Sequence, residues 1–147
     1  MSLAPYTSAI ETAEITSGED FESPFLVTID GVLGGVIQKR LYLRNKDTAK
    51  SYSSITVSVS NEADPALIDD SKGISWKLFA GDQQPTDEQW KLTSPVNTIN
   101  LPDIGTVSVS DTSTYLPFWV RVEIPRSTDI QTIKDIKILT IANEILV

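Results

Sequence analysis

Between Leu116 and Pro125 the chain alternates core and surface residue types without interruption. Phe118, Val120, Val122 and Ile124 fall on one side, and Trp119, Arg121 and Glu123 on the other. A period of two is the signature of a strand with one face buried, because a helix would scatter the same residues around its axis. The pattern recurs at 53–60, where Ile55, Val57 and Val59 oppose Ser54, Thr56, Ser58 and Ser60. It recurs again where Ile74, Trp76 and Leu78 oppose Ser75, Lys77 and Phe79. The predicted core is therefore Ile55, Val57, Val59, Trp76, Leu78, Phe118, Val120 and Val122.

Weaker strand signals fill the intervals. In Val36 to Arg44 the residues Ile37, Leu41 and Leu43 share a face, with Lys39 as the exception, and short runs occur at 96–101 and 105–109. In the final segment, 130–147, Ile136, Ile138, Leu139 and Ile141 break strict alternation, as expected of a strand covered on both faces or of one containing a bulge. Ala80 to Glu88 reads as a polar loop leading to Gln89-Trp90-Lys91-Leu92, and no segment carries a helical repeat. Short strands separated by Gly, Pro, Asn and Asp clusters predict an all-β fold: a single antiparallel β-sandwich over 36–147, immunoglobulin-like or jelly-roll, with an extended N-terminal arm over 1–35. With 147 residues, one core is the expectation.

Charge separates the arm from the rest. Glu11, Glu14, Glu19, Asp20, Glu22 and Asp30 precede the first cation, Lys39, so residues 1–38 carry -6 of the net -8. Such a surface repels phosphate backbones, and no direct nucleic-acid partner is expected. No apolar run approaches the roughly 18 residues that span a bilayer, and no basic-apolar leader opens the chain, so a soluble chain without a membrane partner is expected. The arm's apolar residues Ile10, Ile15, Phe21 and Phe25 are spaced for docking onto a partner, with the carboxylates setting orientation.

Catalytic chemistry is sparse. The chain has no His and no Cys, which removes imidazole bases, thiolates and the commonest metal ligands. Glu62, Asp64, Asp69 and Asp70 lack the spacing and glycine of a Ca²⁺ loop and read as a solvated loop. Glu123, Asp103 and Asp111 do not form a recognisable carboxylate pair. The expectation is a non-enzyme with no catalytic residue, no metal and no cofactor. Trp76 shares a face with Ile74 and Leu78 and reads as core. Trp90, Trp119 and Arg121 read as contact-surface candidates, with cover under a loop as the competing role. Arg44 and Asn45, at a polar corner, read as staples of neighbouring loops through bonds to backbone.

The run Leu41-Tyr42-Leu43-Arg44-Asn45, then Tyr52 to Val57, a Trp-bearing strand, Pro85-Thr86 before Trp90, and Pro117 to Val122 with Ile124-Pro125 resembles small β-sandwich proteins of tailed-bacteriophage virions. The resemblance covers 36–147 and leaves the arm aside. The polar insertion from Asn61 to Gly73 departs from it. It implies a virion subunit, assembled in the host cytoplasm as a capsid decoration, neck, tail or baseplate component. Its partners would be other virion structural proteins and copies of itself, in a homo-oligomer or multi-copy assembly. A carbohydrate-binding or adhesion module, with Trp90 and Trp119 exposed to a host-surface glycan, is the alternative.

Overall fold

The computed structural model describes residues 3–6, 34–62, 64–106, 114–126 and 136–146. Ile10, Ile15, Phe21 and Phe25 lie outside the described residues. The strands are β1 (Leu3–Tyr6), β2 (Gly35–Asn45), β3 (Lys50–Asn61), β4 (Ser75–Ala80), β5 (Thr98–Leu101), β6 (Thr114–Ile124) and β7 (Ile136–Leu146). They form a β-sandwich of two antiparallel sheets, ordered β1-β2-β6-β4 and β5-β3-β7. From β2 onward every connection crosses from one sheet to the other, which binds the layers through the chain as well as through the core. Of residues 1–33 the described part is β1, a short edge strand on the last residues of β2.

The alternating segments became strands because each has one apolar face to bury. β6 runs between β2 and β4, with Phe118 opposite Leu41 and Ala80, Val120 opposite Lys39 and Leu78, and Val122 opposite Ile37 and Trp76. Across the sandwich, Ile55 and Val57 pair with Leu101 and Ile99. All eight residues of the predicted core are buried, joined by Leu41, Leu43, Tyr52, Ile68, Ile74 and Ile104. The bulge lies in β3 and not in β7. Ser54 and Ile55 together oppose Ala142, and Ser54 has a positive φ of 51°. This extra residue lets Tyr52 and Ile55 both turn inward.

Two helical turns were not anticipated. A 3₁₀ turn at Pro65–Leu67 folds the polar insertion so that Ile68 is buried and its carbonyl accepts the Trp76 amide at 3.0 Å. α1 (Asp87–Lys91) is a single turn started by a capping box. Thr86 accepts from the Gln89 amide, and Gln89 Oε1 accepts from the Thr86 amide.

The polar corner after β2 is built around Asn45, which is fully buried. Its Nδ2 donates to the carbonyls of Lys50 and Gly105, each at 2.9 Å, and its Oδ1 accepts the Asp47 amide. One side chain thus satisfies three backbone groups where the chain crosses between sheets. Gly34, entering β2 with φ of 70°, would place a Cβ 2.7 Å from the Ile124 carbonyl oxygen. No larger residue fits there without displacing backbone.

Asn45→Asp replaces two donors by acceptors facing two carbonyls. Each buried group left unpaired costs about 1–3 kcal/mol, so a large fall in the urea midpoint is expected. Asn45→Ala should fall less, and Val120→Asp, with a carboxylate in the core, should abolish the cooperative melt.

Candidate interaction surfaces

The outer face of the β1-β2-β6-β4 sheet gathers the contact candidates. Register places Trp119 between Arg40 and Phe79, and Arg121 between Gln38 and Lys77. α1 lies across this face and lowers Trp90 onto it. The Trp90 ring meets Phe79 edge-on with centroids 5.9 Å apart, and its Nε1 donates to Gln38 Oε1 at 3.0 Å. Trp90 is only 1% exposed, so it covers the sheet from within and offers no ring to a ligand. Its surface role is corrected accordingly.

Arg121 is also drawn inward. Its guanidinium stands 6.0 Å from the Trp90 ring centroid, bonds Glu123 at 2.6 Å and lies 3.6 Å from Asp87. Lys77, directly opposite on β4, donates to the Trp90 carbonyl at 3.1 Å. Two cations side by side on neighbouring strands repel. The two carboxylates and the carbonyl offset that repulsion, and through Asp87 and the Trp90 carbonyl α1 is fastened to the sheet. A shallow pocket of about 370 Å³ opens here, lined by Lys77, Asp87, Trp90, Lys91, Arg121 and Glu123. Both of its carboxylates serve one guanidinium, so the arrangement supports ion pairing rather than proton transfer.

Trp119 is half-buried. Its Nε1 donates to the Asp82 carbonyl at 3.1 Å, while the Asp82 carboxylate pairs with Arg40 at 2.9 Å. Arg40 is thus engaged within its own chain. Of the acidic loop residues, Asp64 pairs with Lys72, and the Ser71 hydroxyl, with the Ser71 amide, holds the Asp69 carboxyl below its usual range. Asp111 lies outside the described residues. Among the described residues no three acidic side chains gather as a metal set, and no helix is long and apolar enough to cross a membrane.

The second surface was not singled out from the sequence. β7 is the outermost strand of its sheet, and no strand among the described residues pairs with its far side. Ile136, Ile138 and Ala142 turn toward the core. Leu139, Ile141 and Ile145 turn outward and are exposed, Ile141 at 68%. The expectation that this segment is covered on both faces is therefore corrected: one apolar face is bare. Lys50 bonds Glu144 at 3.3 Å at the far end of the strand, and that carboxylate raises the Lys50 pKa above its usual value.

The other edges are protected. Along β4, the Trp76 carbonyl accepts the Val96 amide, and Asn97 mimics a strand by bonding both the Leu78 amide and carbonyl at 2.8 Å. β1 and β5 have four residues each. The part of β2 beyond β1 carries Lys39 and Arg40, and charge deters strand addition. β7 has 11 residues, with no Pro and no Gly.

Trp90 is a structural cover, so Trp90→Ala should lower stability by about 3–5 kcal/mol. Trp90→Phe, which loses mainly the bond to Gln38, should cost about 0.5–1.5 kcal/mol. Urea unfolding of the two variants checks this. No protein-family model matches the chain, and comparison with curated proteins finds no similar relative.

Proposed function

We propose that the chain is a non-enzymatic structural subunit of a tailed-bacteriophage particle, a capsid decoration, neck, tail or baseplate component that works through subunit contacts. The observation that carries this reading is the β7 edge, which no strand among the described residues pairs, with its exposed Leu139, Ile141 and Ile145, whereas the other described edges are capped or short. A long apolar edge strand left open invites strand addition from another chain. Assignment to a phage particle draws on the resemblance of 36–147 to virion β-sandwich proteins. In the pocket on the outer face of the other sheet both carboxylates, Asp87 and Glu123, are paired with Arg121, in keeping with a contact protein. The adhesion alternative requires Trp90 and Trp119 exposed together, and Trp90 is buried.

The reading is tested on density-gradient-purified particles. The chain should co-purify in a fixed copy number per particle by quantitative mass spectrometry, and antibody label should mark one discrete position. A chain abundant in the lysate but absent from the particles would refute the reading.

A further inference from the structure

We propose that β7 pairs antiparallel with β7 of a second copy across a two-fold axis at Thr140, joining two three-stranded sheets into one of six strands. The inference rests on the reading of β7 as a contact edge and adds the partner and its register.

Three observations point to a second copy. First, β7 matches itself. An axis perpendicular to the sheet requires partners of the same parity, and centring it on Thr140 sets Leu139 opposite Ile141 of the partner, and Ile141 opposite the partner's Leu139. These are the outward apolar residues, exposed at 39% and 68% in the single chain. Four large side chains then lie on one face of the junction, where directly opposed pairs contribute most.

Second, the charges do not conflict. In the same register Lys137 stands opposite Asn143, and Glu144 opposite Ile136, so no like charges meet. Third, β7 itself is neutral, holding one Lys and one Glu. An isologous contact of this kind closes on itself and leaves β4 and α1 free for other contacts.

The test uses the full chain. Light scattering across a concentration series should give a species of twice the 16.1 kDa chain mass. Ile141→Lys, at an exposed position, should keep the circular dichroism spectrum and melt of the parent while weakening self-association by about a hundredfold. Because the chain has no cysteine, Thr140→Cys reports on the axis: under mild oxidation it should form a covalent dimer rapidly, whereas Thr98→Cys on β5 should not. A parent that stays monomeric throughout, or a dimer that survives Ile141→Lys and does not cross-link at position 140, would overturn the proposal. Either result would leave the particle location of the chain as a separate question, answered by the purified-particle experiment.

Discussion

The register of β6 between β2 and β4 is the constraint on which the other elements depend. Phe118, Val120 and Val122 enter the core only because Leu41, Ile37, Leu78 and Trp76 stand opposite them at the same parity. A slip of one residue would exchange these side chains for Trp119, Arg121 and Glu123, and place a guanidinium and a carboxylate between the sheets. The same register aligns Gln38, Arg121 and Lys77 in one outer row, which gives α1 its seat. Core and outer face are thus set by one alignment, read from opposite sides.

That alignment leaves the protein with edges to manage, and it treats them differently. The insertion between β3 and β4 departs from a plain sandwich, and its effect is local: it buries Ile68 and delivers a carbonyl to the Trp76 amide. Asn97 completes the same edge with a side-chain amide in place of a strand. These devices satisfy backbone groups that would otherwise be open to any extended peptide. β7 has no counterpart among the described residues, and its outward face is apolar where the neighbouring face of β3 is lined by Ser and Thr. The asymmetry is a matter of chemistry and not of strand length alone.

How much was legible in the sequence followed from how local the determinants are. The buried faces of β3, β4 and β6 could be read because alternation is a property of neighbouring residues. Asn45 as a staple could be read because a short polar side chain at a corner has few other roles. The helix α1 was missed because five residues cannot display a helical repeat, although Thr86 and Gln89 carry the spacing of a capping box. Trp90 required knowledge of what lay beneath it, namely Phe79 and Gln38, which are distant in sequence. β7 was misread for the same reason. Ile136 to Ile141 is apolar on both faces, and whether the second face is covered depends on strand order, which periodicity does not encode.

The account's central claim, that β7 is the edge kept open for another chain, is tested most directly by amide hydrogen exchange followed strand by strand from dilute to concentrated protein. The Trp76 and Leu78 amides on the capped β4 edge should be protected throughout. β7 should show rapid exchange at alternate amides when dilute, and should gain protection across 136–144 as the concentration rises. Full protection of β7 in dilute monomer, or a gain of protection confined to α1 and the face beneath it, would contradict the account.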